Sequence, residues 1–277
     1  MEKRKNVVLK IASWNVNSIR TRLDQVLDWL YLQSVDVLCL QETKVIDDDF
    51  PRAQFIDEGY QVYVSGQKAY NGVALISRTP LTDVSTGFTP LLGDHDSTQV
   101  FDQQKRLITG IVSPGIRILN LYVPNGSAVE SEKYTYKLEW LALLHDYIQA
   151  LLSLGPPHLL ICGDFNIALE DHDIHDPCHR ETHIMATDRE RHALQAVLAL
   201  GLQDAFRKFN SEAGQFSWWN YRAASFQRNL GWRIDHHYLT SALYQQAAAC
   251  TIDTAPRRLP KPSDHAPVTV EIDVQHL

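Results

Sequence analysis

The sequence predicts an α/β fold in which two mainly antiparallel β-sheets pack on each other and helices cover their outer faces. Three observations support this prediction. Strand-like apolar runs outnumber helical segments, several runs are separated only by short turns, and strands and helices do not alternate strictly as in a doubly wound fold. With 277 residues, 44% of them hydrophobic, the chain can bury a large core, and we expect one domain over residues 1–277.

The first half of the chain contains most of the predicted strands. Residues 7–16 form an apolar run typical of a strand. Ser18 follows as the predicted cap of a helix, because apolar residues recur at helical spacing from Leu23 to Leu30. The other strands predicted in this half are residues 35–40, 60–64, 72–77, 106–112 and 116–123.

The second half contains two predicted helices. Residues 130–152 show helical spacing and are followed by Pro156 and Pro157, which stop the helix. Residues 188–200 form the other helix, and Gly201 is its predicted end. Predicted strands lie at 158–162, 233–240 and 266–274, and we expect the irregular segment 171–187 to be a surface loop.

The overall charge and the cysteines limit the class of protein. The formal net charge is −7, so a face that binds nucleic acid would have to be locally basic or bridged by metal cations. The four cysteines are scattered, and Cys39 and Cys162 lie inside apolar runs, which indicates reduced core thiols. No signal peptide or membrane span is visible, so we expect a cytoplasmic protein.

Polar side chains follow the ends of several predicted strands, where an unpaired buried charge would be unfavourable. If these ends meet at one rim of the two sheets, carboxylates, amides and a histidine come together without a serine or cysteine nucleophile. That combination favours metal-assisted attack of water on a phosphate, and Mg²⁺ suits such oxygen ligands. The side chains concerned are Asn15, Asn17, Glu42, Tyr122, Asn125, Asp164, Asn166, Asp235, Asp264 and His265.

The order of these motifs resembles the exonuclease III family of abasic-site endonucleases. The resemblance runs from about residue 9 to residue 272, and it is closer to this family than to deoxyribonuclease I or the inositol phosphatases. The motifs that carry it are WNVNSIR at 14–20, LQETK at 40–44, NGVALISR at 71–78, LYVPNG at 121–126, GDFN at 163–166, FSWWNYR at 216–222, RID at 233–235 and PSDHAP at 262–267.

The resemblance implies a four-layer, DNase I-like sandwich of two sheets flanked by helices. It implies Mg²⁺- or Mn²⁺-dependent cleavage of the phosphodiester 5′ to an abasic site, together with 3′-to-5′ exonuclease action and removal of 3′-blocking groups on duplex DNA. The expected partner is double-stranded DNA with abasic sites or blocked 3′ ends. We expect a monomer that works at the nucleoid, with no membrane association.

The resemblance also assigns roles in the reaction. Glu42 is the implied metal ligand. Asn17 stands where some relatives carry aspartate, which fits a water-bridged contribution to the metal. Asp264 would reach the metal through water or act as a proton donor. Asn15 and Asn166 would orient Glu42 and the attacking water.

The remaining implied roles concern the proton and the phosphate. Asp164 would be the general base or would position the hydroxide. Tyr122 would donate to the phosphate or the leaving oxygen, and Asn125 would hold the phosphate. His265, held by Asp235, would stabilise the developing charge. Whether Asp164 or His265 takes the proton of water stays open at this point.

Recognition of an abasic site needs a pocket for a flipped-out sugar, because there is no base edge to read. Trp218, Trp232 and Ile234 match positions that build this pocket in relatives. Tyr70 matches a DNA-gripping turn, and Arg106 and Arg228 are among the arginines expected to contact phosphates.

Two rival functions are consistent with parts of this pattern. One is a same-fold metallophosphodiesterase acting on another phosphate ester or on RNA, against which the aromatic block at 216–234 argues. The other is a non-catalytic DNA-binding module, which should have lost Glu42, Asp164 or His265, although all three are present.

Overall fold

The computed structural model describes residues 8–155, 158–178, 180–275 and 277. The strands are β1 Val8–Asn15, β2 Val37–Gln41, β3 Gln61–Ser65, β4 Val73–Ser77, β5 Thr82–Thr86, β6 Leu107–Val112, β7 Ile116–Tyr122, β8 Leu159–Asp164, β9 Leu202–Asp204, β10 Trp218–Trp219, β11 Gly231–Trp232, β12 Asp235–Thr240, β13 Ala247–Ile252 and β14 Val268–Asp273. The α-helices are α1 Ile19–Gln33, α2 Arg52–Asp57, α3 Thr89–Leu92, α4 Asp96–Asp102, α5 Glu132–Ser153, α6 Asp188–Leu198, α7 Ala205–Phe209 and α8 Ser241–Gln246.

Two six-stranded sheets form the centre of the described structure. Their strand orders are β13-β14-β1-β2-β4-β3 and β5-β6-β7-β8-β12-β9. The pairs β1–β2 and β7–β8 are parallel, and the remaining neighbours in both sheets are antiparallel. The prediction of two mainly antiparallel sheets is therefore confirmed.

The sheets pack on each other, and helices cover their outer faces. Strand β2 shows why, because Val37 and Cys39 point into the core between the sheets whereas Leu38 and Leu40 pack on the opposite side with α1. Strand β8 divides in the same way, with alternate residues packing between the sheets and against α5 and α6. Both faces of the central strands are thus apolar, which produces the four layers.

A buried polar contact joins the two sheets close to the ends of their central strands. The amide nitrogen of Gln41 donates to Asn120 Oδ1 over 2.7 Å, and Asn120 Nδ2 donates to the carbonyls of Leu40 and Ala74, both over 3.0 Å. Gln41 and Asn120 are fully buried. Because buried hydrogen bonds of this kind admit few alternative arrangements, this contact helps to fix how the sheets are aligned where the site is built.

Several predictions about local structure need correction. The segment 171–187 is not simply a surface loop, because Asp173 and Ala186 have no exposed surface and pack into the molecule. Ser18 stands at the N-cap of α1, but its φ of 92° differs from a usual cap, and its hydroxyl pairs with Thr21 Oγ1 instead of a backbone amide. Cys178 is exposed, whereas the other three cysteines are buried, and all four are free.

Other predictions fall partly or wholly outside what the structure describes. Val7, the first residue of the predicted strand, and Pro156 and Pro157, the predicted stop of the helix, lie outside the described residues. The single domain over 1–277 stays a prediction. Within the described ranges, no helix combines the length and apolar character needed to cross a membrane.

Candidate active site

The site lies where β1 and β2 of the first sheet end beside β7, β8 and β12 of the second. Asn15, the last residue of β1, connects the two sheets. Its Nδ2 donates to Glu42 Oε1 over 3.0 Å and to Asp164 Oδ2 over 2.9 Å. Asn15 has no exposed surface. The structure therefore brings together two acids that are far apart in the sequence, one after β2 and one at the end of β8.

Glu42 is held as an ionised acceptor. Tyr122 Oη donates to Glu42 Oε1 over 2.7 Å, and Lys44 Nζ lies 2.8 Å from Glu42 Oε2. Burial would raise the pKa of Glu42, but Lys44, Asn15 and Tyr122 outweigh burial and lower it. Burial, reinforced by the charge of Glu42, keeps the pKa of Tyr122 well above its usual range, so its hydroxyl stays a donor.

Asn17 and Asp264 lie next to Glu42. Lys44 Nζ donates to Asn17 Oδ1 over 2.6 Å, and Asn17 Nδ2 donates to Asp264 Oδ1 over 3.0 Å. Trp218 Nε1 donates to the other oxygen of Asp264, also over 3.0 Å. Burial opposes ionisation of Asp264, but the charge of His265 and these two donors lower the pKa of the carboxyl group.

The residues present fit a hard divalent cation. The ammonium of Lys44 shows that Glu42 Oε2 and Asn17 Oδ1 converge on one cation, at 2.8 and 2.6 Å. Carboxylate and amide oxygens are the ligands that Mg²⁺ and Mn²⁺ take in proteins. Within the described ranges, a further group of three side chains could also hold a metal ion, namely Asp164, Asp235 and His265. The structure thus supports a metal cofactor, while the identity of the ion remains a proposal.

Asp164 and Asn166 form the floor of the site. The backbone amide of Asn166 donates to Asp164 Oδ1 over 2.9 Å, and its side chain donates to the carbonyl of Val123 over 2.9 Å. Gly163 precedes them with φ of 140°, and a Cβ there would lie 1.9 Å from the carbonyl oxygen of Leu121. Only glycine allows β7 and β8 to approach so closely, which places Asp164 beside Tyr122 in the strand pairing.

His265 is oriented by Asp235. His265 Nδ1 lies 2.9 Å from Asp235 Oδ2, and Ser217 Oγ donates to the same oxygen over 2.6 Å. The other ring nitrogen lies 3.7 Å from Asp164 Oδ2. Burial would lower the pKa of His265, but the carboxylates of Asp235 and Asp164 raise it to about 10. Burial raises the pKa of Asp164 to about 7, against the attraction of His265.

These pKa shifts distinguish the two candidates that the sequence left open. A group that titrates near pH 7 can release and take up a proton under working conditions, which suits a general base. A histidine whose pKa is raised to about 10 stays positively charged at neutral pH, so it is suited to stabilising negative charge. Asp164 is thus a candidate base and His265 a candidate cationic donor.

An aromatic-walled cavity of about 380 Å³ opens beside the acids. Trp218 and Trp232 line it together with His175, His183 and Met185. The sequence predicts that Ile234 lines the pocket, but in the structure it does not line this cavity. It is 1% exposed and packs beneath the wall with Trp232. Two of the three predicted pocket residues are thus at the surface of the cavity.

The predicted DNA contacts fall in different places. Tyr70, Arg106 and Asn125 line a second cavity, of about 650 Å³. Arg106 stacks over the ring of Tyr122 with its guanidinium carbon 4.6 Å from the ring centre. Arg228 is exposed and lines neither cavity. Asn125 connects this cavity with the floor, since its Nδ2 donates to Asn166 Oδ1 over 2.9 Å.

Sequence reasoning missed some residues at the site. The pairing of Lys44 with Glu42 was not predicted, although Lys44 follows this strand-end carboxylate by two residues, which was the available signal. Met185, at φ of 77°, gave no signal because it lies in the segment expected to be a loop. The acids of that segment bind arginines, since Asp173 accepts from Arg233 Nε over 2.7 Å.

Comparisons with known proteins place the chain in a family. The sequence profile described as the Endonuclease/Exonuclease/phosphatase family matches residues 12–265. Exodeoxyribonuclease III of Haemophilus influenzae is 33% identical over 274 residues, which are 95% of this chain and 99% of that protein. This protein therefore has a curated relative of nearly the same length.

Two solved structures are similar over their whole length. One is the 3′ phosphatase NExo from Neisseria bound to a product DNA hairpin, with 40% identity, a TM-score of 0.89, and coverage of 96% of this chain and 99% of that chain. The other is an AP endonuclease from Archaeoglobus fulgidus, with 39% identity, a TM-score of 0.89, and coverage of 96% and 100%. The chain belongs to the Endonuclease/Exonuclease/phosphatase family and, within it, to the exodeoxyribonuclease III group.

Proposed function

We propose that this protein is a metal-dependent DNA repair nuclease that hydrolyses the phosphodiester 5′ to an abasic site and also trims or cleans 3′ ends of duplex DNA. The observation that carries the proposal is the bridge formed by Asn15, whose amide nitrogen contacts Glu42 and Asp164 at 3.0 and 2.9 Å. This bridge holds a candidate metal ligand and a candidate base in one cleft beside an apolar cavity.

In this proposal, Glu42 and Asn17 would hold the metal ion, and Asp264 would support it through the amide of Asn17. Mg²⁺ is the proposed ion, and Mn²⁺ would serve as well. When bound, it would supply positive charge to the scissile phosphate. Lys44, which now contacts both oxygens, would turn towards the phosphate or the solvent.

Asp164 removes the proton from the attacking water, and Asn166 holds that water through its side-chain amide. His265 donates to a phosphate oxygen and stabilises the charge that develops there, because Asp235 keeps the imidazole protonated and oriented. Tyr122 donates from its hydroxyl to the leaving oxygen, and Asn125 holds the phosphate. Asp164, Asn166 and His265 are held in place before substrate binds, whereas the hydroxyl proton of Tyr122 would have to turn from Glu42 to the leaving oxygen.

The two cavities suggest how the damaged strand is held. The wall formed by Trp218 and Trp232 would pack against a flipped-out sugar without a base, because aromatic surfaces stabilise an apolar ring face. Tyr70 and Arg106 hold the adjoining strand, and Arg228 contacts a phosphate further away. The chain is acidic overall, so these local cations and the metal ion carry the contact with DNA.

The similar structures also support a second activity that uses the same chemistry. The 3′ phosphatase and the AP endonuclease match this chain almost equally, at 40% and 39% identity. Cleaning of 3′ ends is therefore proposed alongside abasic-site cleavage. From the sequence we also propose that the protein is a monomer and acts in the cytoplasm at the nucleoid.

The test uses three substrates in parallel: a duplex with one internal tetrahydrofuran abasic analogue, a nicked duplex with a 3′-phosphate, and a soluble phosphate monoester. Each is incubated with Mg²⁺, Mn²⁺ or EDTA, and the DNA ends are mapped. We expect metal-dependent cleavage 5′ to the analogue that leaves a 3′-hydroxyl. Both DNA substrates remaining intact while the monoester is hydrolysed would contradict the proposal.

A further inference from the structure

A fully buried ion pair lies directly behind the site, and the reaction steps above do not use it. Lys137 of α5 and Glu190 of α6 meet with 2.5 Å between Nζ and Oε1, and neither side chain has exposed surface. Removing two charges from water is costly, and well-packed apolar residues often replace such pairs without loss of stability. We therefore expect this ion pair to do more than hold two helices together.

The ammonium of Lys137 contacts two segments of the site. It donates to the carbonyl oxygen of Asn166 over 2.8 Å and to that of Asn125 over 3.3 Å. The side chains of these two asparagines are themselves hydrogen-bonded, with 2.9 Å between Asn125 Nδ2 and Asn166 Oδ1. One cation thus fixes the backbone beneath both amides, and an apolar side chain of the same size could not do so.

The carboxylate of Glu190 fixes the wall of the aromatic cavity. It accepts from the backbone amides of Met185 and Thr187 over 2.9 and 3.0 Å, and from the hydroxyl of Thr187 over 2.9 Å. Met185 lines the cavity, and its positive φ of 77° is unfavourable for a side chain of this size, so it needs such support. Its sulfur also accepts from Asn125 Nδ2 over 3.6 Å.

We propose that Lys137 and Glu190 are positioning residues that set the amides of Asn125 and Asn166 and tie them to the cavity wall at Met185. This inference rests on the proposed function, since it takes those amides to hold the phosphate and the attacking water. Through the pair, the cavity wall and the amides that face the reacting atoms form one rigid unit. The expected consequence is an effect on turnover that exceeds any effect on substrate binding.

The experiment uses the double variant K137M/E190Q, which removes both charges together. The side-chain amide oxygen at position 190 can accept from only one of the backbone amides of Met185 and Thr187, and the bonds from position 137 to the carbonyls of Asn125 and Asn166 are lost. We expect kcat on the abasic-analogue duplex to fall about 100-fold, as for a displacement of about 1 Å, while KM changes less than about threefold. K137M alone leaves an unpaired buried carboxylate and should lower Tm by about 10 °C.

A control lysine on α7 contacts none of the site residues named above. Lys208 also donates to three backbone carbonyls, those of Tyr244, Gln245 and Ala247, at 2.5, 3.1 and 2.8 Å. K208M removes the same kind of bonds and should leave kcat unchanged. All rates are measured at least about 15 °C below the Tm of each variant, so that the folded fraction does not limit them.

The outcomes separate the inference from the proposed function. Wild-type activity in a folded K137M/E190Q variant, or an equal loss of kcat in K208M, overturns the positioning role. Wild-type protein that cleaves neither DNA substrate overturns the proposed function instead. If the double variant does not fold, the single variant E190Q is measured instead, because it keeps Lys137 and one acceptor oxygen at position 190. A kcat that is about tenfold lower at unchanged KM supports the inference, and an unchanged kcat overturns it.

Discussion

Substitution of Asp235 by asparagine tests the assignment of His265 as a cationic donor. In the structure, His265 Nδ1 lies 2.9 Å from Asp235 Oδ2 and 3.1 Å from Oδ1, and both residues are buried. D235N keeps the size of the side chain and a hydrogen-bonding group but removes the negative charge. The variant therefore isolates the electrostatic part of the contact.

The magnitude follows from the raised pKa. Against burial, the pKa of His265 rises from 6.5 to about 10, and Asp235 is the largest of the three carboxylate influences. The full rise corresponds to about 5 kcal/mol. An opposite charge at this distance shifts a pKa by about 1–3, so D235N should lower the pKa of His265 to about 8. Loss of the orientation and charge of a proton-handling group should also reduce kcat by about 10²- to 10⁴-fold.

The assay is the pH dependence of kcat/KM on a hairpin with a tetrahydrofuran abasic analogue. For the wild type we expect a bell-shaped profile, rising as Asp164 loses its proton near pH 7 and falling as His265 loses its proton near pH 10. In D235N the alkaline limb should move down by about 2 pH units. If D235N is slower but its alkaline limb lies at the same pH as in the wild type, the reasoning is refuted, because His265 is then not the group that titrates there.

A control variant separates charge from geometry. S217A removes the 2.6 Å bond from Ser217 Oγ to Asp235 Oδ2 but keeps the carboxylate. Its alkaline limb should stay near that of the wild type. The stability of D235N gives a second check: since the folded pKa of His265 is raised, its contribution is complete below about pH 6.5 and disappears as pH rises through 10, so D235N should be most destabilised in acid.

Three further predictions concern other parts of the molecule. W232A removes a wall of the cavity and should raise KM for the abasic-analogue duplex about 10- to 100-fold, whereas an unchanged preference over undamaged duplex would argue against this pocket. Y122F removes the 2.7 Å bond to Glu42 and should lower kcat about tenfold or more in single-turnover assays, and full activity would exclude the hydroxyl as a donor. Burial opposes the ionisation of Asp173, but Arg233 outweighs it and lowers the pKa to about 2, so this carboxylate stabilises the fold by about 2 kcal/mol above pH 4 and loses that contribution as pH falls towards 2. Urea unfolding should therefore show D173N destabilised at pH 7 by an amount that shrinks below pH 4, and a pH-independent difference would contradict this.

The sequence predicted the central strands because their apolar runs are long and buried on both faces. It missed β5 at Thr82–Thr86, which is polar and largely exposed, so no periodic pattern marks it. The short helices α2, α3 and α4 were missed for a similar reason, since each has too few turns to show a repeating apolar stripe.

The site itself was predictable where polar residues end buried strands, as at Asn15, Glu42 and Asp164. Their gathering depends on the alignment of two sheets, which periodicity within one strand does not encode. The partners that come from loops and helices, such as Met185 and Lys137, could not be found in this way. Their importance arises from tertiary contacts with Asn125 and Asn166, which are distant in the chain.

The most direct test of the two-sheet site is a double-mutant cycle on Glu42 and Asp164, which Asn15 joins at 3.0 and 2.9 Å. Single-turnover rates are measured for the wild type, E42Q, D164N and the double variant at saturating Mg²⁺. Groups that act as one unit give strongly non-additive losses, so the double variant should be hardly slower than the worse single variant. Losses of the two single variants that multiply fully in the double variant would show that the two acids act independently and would contradict a shared site.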